Sequence, residues 1–358
     1  MKKPVKREAT YKELKDRILA KRYIPNSRLP TEPELAALFE ITRTTMRLVL
    51  ARLEKEGLIK RIRSKGTFVC SKPPRPIYHV IGIVGCIVGS QILQNLNYET
   101  EKQGYQLICI NYPGDIIECH PELLLQFPID GVIFLGSSSS AVTLEFLRQE
   151  NFPVIGNVSP EISWMTGVEF DHRNGYGQVL DYLIGQGHRR IAFIEFSRKP
   201  EFQFYLNNIE AAFREKLRSD FDPELFMTSE DEIALWHKVG EDYLQVYAEK
   251  ATQRLMSLNT PPTAIISLHS LARYIPAALR KTGKLVPRDV SLVSVGYPLE
   301  YDPQWTTLIA RIDKLILLAF TRMLAMLNEK TVKPEKILIP MDLKIGKTTE
   351  KMSLSSTH

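Results

Sequence analysis

The residues of this chain best suited to chemistry are Arg43-Thr44-Thr45-Met46-Arg47 and, further along, Arg63-Ser64-Lys65-Gly66. Two guanidiniums four positions apart share one face of a helix, where each can grip a guanine edge bidentately or sit on a phosphate. Threonine hydroxyls can serve either role. A glycine next to a lysine in a tight turn lets the backbone come close to a phosphate or a groove wall. The chemistry implied is recognition of double-stranded DNA, with no bond made or broken. Taken singly, each residue has a plainer account, because basic helix faces are usually just solvated and threonines usually cap helices. The ordered set as a whole carries the reading.

The elements that must position these groups can be read around them. Thr31 stands three residues before Glu34 and ahead of an apolar run, the spacing of a capping box that starts a helix. Thr42 can cap the next helix, in which Met46, Val49, Leu50 and Leu53 recur as one buried stripe. Burying that stripe turns Arg43, Thr44 and Arg47 outward at the helix start, where a recognition helix meets base edges. Leu58 to Arg61 and Thr67 to Val69 then predict two strands joined by the turn Arg63-Ser64-Lys65-Gly66. The expected DNA-binding set is Arg28, Thr31, Arg43, Thr44, Thr45, Arg47, Arg63, Lys65 and Gly66.

In this order and spacing, LPTEPELA, TRTTMR, LEKEGLIKR and SKGTFV resemble the winged helix-turn-helix of the GntR family of bacterial transcription regulators. The resemblance covers about residues 1–70, with Tyr11, Leu14 and Ile18 lining a first helix. It implies DNA contacts from Arg43, Thr44, Thr45 and Arg47, with Lys65 and Gly66 at the wing tip. One departure stands out: the family usually has Arg after the first Glu of this motif, where this chain has Pro33. Proline is tolerated in a first helical turn, so the fold survives while one family contact is missing.

Charge separates this region from the rest. Residues 1–76 hold 20 Lys and Arg against 8 Asp and Glu, a net +12, and the remainder a net −6 within the overall +6 of 358 residues. A basic head on a mildly acidic body fits nucleic-acid binding by the head alone. The length suits two or three cores. Cys70, Cys86, Cys109 and Cys119 show neither CxxC pairing nor histidines at metal-ligand spacing, so neither a metal nor a cofactor is expected; Cys86 and Cys109 lie in apolar runs and read as packed thiols. No signal-peptide core follows the Lys-rich start, and no apolar run is long enough to span a bilayer. The expectation is a cytoplasmic, reduced protein with no membrane partner.

Ser71 to Tyr78 is Pro-rich and polar and reads as a linker. Beyond it, short apolar strands alternate with helical segments: His79–Val84, Gln106–Asn111, Gly131–Leu135 and Pro153–Gly156, then Gly167–Phe170, Arg190–Glu195, Ala264–Ser267 and Val290–Val295. Two consecutive doubly wound α/β units are predicted over residues 79–345, followed by a frayed polar tail at 346–358. GVEFDHRNGYGQVLDYLIGQGHRRIAFIEF, IDGVIFLG, FPVIGNV, PTAIISLHS and VPRDVSLVSVGY are similar, in order, to the two-lobed domain of LacI/GalR regulators. That likeness implies an α/β fold of periplasmic-binding-protein type, with a small ligand between the lobes.

Residues following the strands would line such a cleft. These are Val88 to Gln91, Asn157, Phe170, Ser197, Arg198, His269 and Tyr297, with Trp236 as an aromatic platform; Phe170 and Trp236 can equally be core, and His269 a satisfied structural histidine. Sugar-binding members usually carry Asn-Asp where His269-Ser270 stand, Asp near Gly296-Tyr297-Pro298, and Arg near Asn207-Asn208-Ile209. The cleft is therefore expected to have unusual chemistry or to have lost its ligand. No GxSxG, HExxH, GxxxxGK[ST] or GxGxxG pattern is present, and Asp171 beside His172 reads as a helix cap. The resulting expectation is a homodimeric transcriptional regulator, of repressor type, that binds a palindromic operator and is modulated by a sugar-like ligand. Two alternatives are a GntR-headed chain whose body is an enzyme and one whose body is a ligand-independent dimerisation module.

Overall fold

The computed structural model describes residues 3–20, 22–70, 77–85, 90–110, 117, 119–135, 140–156, 163–195, 203–228, 241–328 and 333–352. The chain divides into two compact units, Met1–Tyr78 and His79–His358. The expected linker segment 71–76 lies outside the described residues.

The first unit is built from α1 (Lys3–Leu19), α2 (Glu32–Leu38), α3 (Arg43–Lys55), β1 (Ile59–Ile62) and β2 (Gly66–Val69). Lys3 to Arg7 of the Lys-rich start form the beginning of α1. Tyr11, Leu14 and Ile18 from α1 pack with Leu35 and with the predicted stripe Met46, Val49, Leu50 and Leu53, all buried. Thr42 caps α3 by accepting from the Thr45 N–H at 3.2 Å, as the spacing predicts. Glu34 reaches back to the Thr31 N–H at 2.7 Å and to its hydroxyl at 2.8 Å. A polar clamp ties α1 to α3: the Tyr11 hydroxyl donates to Glu56 at 2.6 Å, Lys15 Nζ joins it at 2.9 Å, and Arg52 lies 3.6 Å over the Tyr11 ring. β1 and β2 pair antiparallel from Ile59↔Val69 to Ile62↔Gly66, one residue longer at the turn than expected. Residues 26–29 run along β2, with the Leu29 N–H donating to the Thr67 carbonyl at 2.8 Å.

The second unit begins with β3 (Val80–Val84), α4 (Ser90–Glu101), β4 (Gln106–Ile110), β5 (Gly131–Phe134), α5 (Ala141–Gln149), β6 (Val154–Ile155) and β7 (Gly167–Phe170). The strands form a parallel sheet in the order β4-β3-β5-β6, continued to β7 by a Gly156–Gly167 bridge. Their near-continuous apolar runs are what burial on both faces requires. The chain then crosses into α6 (His172–Gly185), β8 (Ile191–Glu195), α7 (Gln203–Leu217), β9 (Phe226–Thr228), α8 (Glu241–Met256), β10 (Ala264–Leu268), α9 (His269–Ala272), α10 (Ile275–Lys281), β11 (Ser291–Gly296) and β12 (Thr306–Ile309). These build a second sheet, ordered β9-β8-β10-β11-β12.

The two units of the prediction are not consecutive. After β12 the chain returns to the first lobe as α11 (Ile312–Asn328) and β13 (Lys336–Ile339), then crosses back as β14 (Asp342–Lys344). α11 buries Ile312, Leu315, Ile316, Phe320 and Met323 against Ile81, Ile83, Leu107 and Ile133 of the first sheet. β13 pairs parallel with β7, and β14 pairs antiparallel with β12.

The tail also departs from expectation, because residues 347–352 do not fray. The Leu292 N–H donates to the Thr348 carbonyl at 2.8 Å, the Thr348 hydroxyl to the Leu292 carbonyl at 2.7 Å, and the Met352 N–H to the Gln186 carbonyl at 2.9 Å. Polar composition marked this stretch as loose, but its groups close the amino-terminal ends of buried strands. Residues 353–358 lie outside the described residues.

Candidate nucleic-acid interface and ligand cleft

On the head, the capped start of α3 presents Arg43, Thr44 and Arg47 as exposed residues. Thr45 is half-buried, and its hydroxyl shares a 2.8 Å hydrogen bond with that of Thr42 beside the cap. Thr31 is likewise bound to Glu34 and exposed at the start of α2. Arg63 and Lys65 stand exposed at the turn and form no ion pair among the described residues. Arg28 lies across the wing, where a Cβ on Gly66 would come 2.6 Å from its Nε; Gly66 also has φ +114°. Only glycine fits this crossing without displacing the guanidinium.

A groove of about 250 Å³ runs between these parts, lined by Arg28, Thr31, Glu32, Arg43, Arg61 and Gly66 among others. Its one carboxylate is Glu32, which the sequence reading did not include. Glu32 Oε1 accepts from Arg47 Nε at 2.9 Å, and its Oε2 lies 3.9 Å from Arg43 Nε. The signal was present as the first Glu of LPTEPELA; the capping spacing assigns Glu34 to Thr31, but nothing local shows that Glu32 reaches across to α3. Arg61, in the same groove, pairs with Glu54 at 3.1 Å and donates to the Arg47 carbonyl at 3.4 Å.

In the body, the two sheets share one winding: β4-β3-β5 in the first and β9-β8-β10 in the second each reverse direction about the first strand. Crevices form outside the carboxyl ends of strands at such reversals. All three crossings (Phe170 to His172, Ile309 to Ile312, Ile339 to Asp342) leave from carboxyl ends of strands, which brings those ends of the two sheets toward each other. Phe170, at the first crossing, packs against the cores of both lobes. The first and third crossings are tied together by the Asp171 N–H donating to the Ile339 carbonyl at 2.8 Å, and within the second Arg311 pairs with Asp313 at 2.6 Å. That guanidinium holds the Asp313 carboxyl below its ordinary range. Asp171 caps α6 through the Asn174 N–H at 3.1 Å, as predicted.

Around this mouth, the second lobe contributes Glu195 at the end of β8, almost fully buried, which accepts from the Tyr205 hydroxyl at 3.0 Å. Tyr205 lies edge-on to His172 with ring centroids 4.6 Å apart, and His172 lies 6.0 Å from Phe170. Nδ1 of His172 is shut from solvent without a hydrogen-bond partner among the described residues, and burial pushes the imidazole down to about 3. His269 is half-buried, shares a 3.1 Å hydrogen bond with the Ser294 hydroxyl through Nδ1 and packs edge-on to Trp305. Tyr297 is exposed just past β11, and its N–H donates to Glu300 at 2.8 Å. Gln91 is exposed on α4 and donates to Asn95 at 3.2 Å. Val88, Gly89, Asn157, Ser197, Arg198 and Trp236 lie outside the described residues, as do the segments that follow β3, β4, β5, β6, β8 and β9.

A separate hollow of about 240 Å³, lined by Phe152, Trp164, Met165 and Met326, lies at the amino ends of β6, β7 and β13, the far end of the first lobe from the mouth. It is smaller than most ligand sites. Among the described residues, no group of three or more His, Cys, Asp or Glu is placed to hold a metal ion, and no helix is long and apolar enough to cross a membrane.

Comparison with known proteins agrees with this division. Residues 6–69 match the gntR family of bacterial regulatory proteins, and residues 180–349 match a periplasmic binding protein-like domain. The chain is 26% identical over 286 residues to the arabinose metabolism transcriptional repressor of Geobacillus stearothermophilus, covering 75% of this chain and 76% of the relative. Among solved structures, a LacI family transcriptional regulator from Enterococcus faecium with bound ribose matches with a TM-score of 0.61 at 18% identity, covering 76% of this chain and all of that one. A regulatory protein of the LacI family from Chloroflexus aggregans matches with a TM-score of 0.61 at 19% identity, over 76% of this chain and 99% of its own. These structural likenesses establish the fold of the body.

Proposed function

We propose that this chain, a GntR-type winged helix-turn-helix head followed by a LacI-type, periplasmic-binding-protein-like body, is a DNA-binding transcriptional regulator that acts as a repressor. The observation that carries the reading is the outward edge of α3 with the wing beside it, where Arg43, Thr44, Arg47, Arg28, Arg63 and Lys65 are all exposed on a strongly basic head. Phosphate contacts from Arg63, Lys65 and Arg28 set the register, and Arg47 and Arg43 read base edges in the major groove. The binding unit is a homodimer on a palindromic operator, because two heads on half-sites a turn or two apart square the specificity of one.

The body supplies control. A small ligand, a sugar or sugar derivative, held between the carboxyl ends of the two sheets favours one lobe arrangement over another and so shifts the population of DNA-competent dimers. The relative that acts in arabinose metabolism and the fold neighbour that holds ribose support this ligand class. Phe170 lines the mouth near His172, Tyr205 and Glu195. The positions Gln91, Asn157, Ser197, Arg198, Trp236, His269 and Tyr297 complete the proposed wall.

The test is direct. A duplex enriched from a randomised pool by the full-length protein is titrated against wild type and Arg47→Ala by fluorescence anisotropy. Loss of one bidentate base contact is expected to lower affinity for that duplex by about 1–3 kcal/mol with the far-ultraviolet circular dichroism unchanged. Wild-type affinity in the variant would remove α3 from its place as the reading helix.

A further inference from the structure

Glu32 is a carboxylate on a surface meant for a polyanion, and it sits between the two arginines expected to read that polyanion. Left alone, it would only weaken binding by repelling nearby phosphates. Its geometry gives it a use. It is the first residue of α2, where the positive end of the helix favours its charge, and its neighbour Glu34 is already taken up by Thr31. Its side chain is 22% exposed, against 59% for Arg47 and 65% for Arg43. The carboxylate accepts from Arg47 through Nε at 2.9 Å. A bond at Nε holds the guanidinium from the side and leaves its two Nη groups pointing onward, the pair that meets O6 and N7 of a guanine end-on.

We propose that Glu32 is a positioning residue that sets sequence specificity. It braces Arg47 so that the Nη pair is presented to a base edge, and it keeps Arg47 and Arg43 from settling on phosphates. Without it, two mobile guanidiniums reach any nearby phosphate, so affinity for arbitrary DNA rises while the preference for one sequence falls. This rests on the reading of Arg47 as the base-reading residue, and the experiment separates the two.

Full-length wild type, Glu32→Gln, Glu32→Asp, Arg47→Ala and the double variant Glu32→Gln/Arg47→Ala are titrated by anisotropy against the enriched duplex and a scrambled duplex of equal length across a salt series. For Glu32→Gln the ratio of the two affinities is expected to fall about tenfold, the low end of what one bidentate contact discriminates. Binding to the scrambled duplex is expected to tighten, with a salt slope steeper by about one per head. Glu32→Asp keeps the charge and the helix start but shortens the reach, and is expected to fall between wild type and Glu32→Gln. In the Arg47→Ala background the Glu32→Gln change should alter the ratio less than about threefold, because only the longer 3.9 Å approach of Glu32 to Arg43 remains.

A ratio that stays at the wild-type value in both Glu32→Gln and Glu32→Asp overturns the proposal alone. So does a Glu32→Gln effect that persists in full without Arg47. A wild-type protein that enriches no duplex overturns the regulator reading and this one together.

Discussion

Gly66 and Arg28 meet where the wing turns back, and the encounter makes a sharp prediction. The backbone at Gly66 is left-handed and a methyl there would strike the Arg28 guanidinium. Gly66→Ala is therefore expected to cost about 1 kcal/mol of head stability and to weaken DNA binding several-fold as Arg28 is pushed aside. Gly104→Ala is the control: its φ is +76°, but nothing lies within 4 Å of the added carbon, so thermal stability should drop while anisotropy on DNA is unchanged. Two buried titratable groups give the body a pH dependence with opposite signs. Glu169, in β7, is 7% exposed, and burial raises its carboxyl to about 7, with Lys336 pulling the other way. Its unfolded carboxyl ionises near 4.5, so this group costs stability progressively as pH rises from that value through about 7. Glu169→Gln should raise the unfolding midpoint at about pH 8 and leave it near wild type at about pH 4. His172 acts in the other direction: depressed to about 3 from 6.5, it removes stability as pH falls below the upper value, because only the unfolded chain takes the proton readily.

At the level of elements, the second lobe is finished by chain from far away. Residues 346–352 lie along the amino ends of β11 and β12, where the Thr306 N–H donates to the Thr348 hydroxyl at 2.9 Å, and Thr349 shares a 2.8 Å hydrogen bond with Tyr182. His188 closes the row between Thr263, at 2.9 Å, and the Glu350 carbonyl, at 3.2 Å. Burial lowers the His188 pKa, so this junction too weakens as pH falls below the ordinary imidazole range. Ending the chain after Gly346 is expected to destabilise the body by roughly 3 kcal/mol or more, at about 1 kcal/mol for each bond lost, read as a lower urea midpoint. A midpoint unchanged by the deletion would make the segment a passenger. The first lobe guards its edge differently. Asn97 on α4 donates to the Leu107 carbonyl at 3.1 Å and accepts its N–H at 2.6 Å, occupying the backbone groups that β4 would otherwise offer to another strand.

For the molecule as a whole, the three crossings make the lobes a hinged pair, since each passes between sheets over only a residue or two. Phe170, Asp171, Arg311 and Met341 lie on those short connections, so a ligand that changes their angle acts on all three at once. The expected consequence is a ligand that stabilises the closed pair. A thermal-shift screen of pentoses, hexoses, disaccharides, uronic acids and sugar phosphates should find a compound that, at a hundred times its dissociation constant, adds about 2.7 kcal/mol to the body and raises its midpoint by a few degrees. A flat panel would place the control of this regulator outside carbohydrate chemistry, consistent with the lost Asn-Asp pattern at His269-Ser270.

Local chemistry was legible in the sequence alone. The caps at Thr31, Thr42 and Asp171, the stripe Met46–Leu53 and the apolar strands of both sheets depend on residues within a few positions of one another, and their periodicity survives any packing. The winged head, the α/β class of the body and the exposed arginines of α3 follow from such patterns. Long-range pairing was decided only in the tertiary structure. Thr306–Ile309 opens on two threonines and Lys336–Ile339 on a lysine; both are only four residues long, and become strands because β11 and β7 offer them an edge. The tail is held by partners such as Tyr182, 167 positions away. Glu32 reaches Arg47 across a turn, and His269 turns to Ser294 on the neighbouring strand. No periodicity records such contacts, because each depends on where two distant segments are placed by the packing of everything between them.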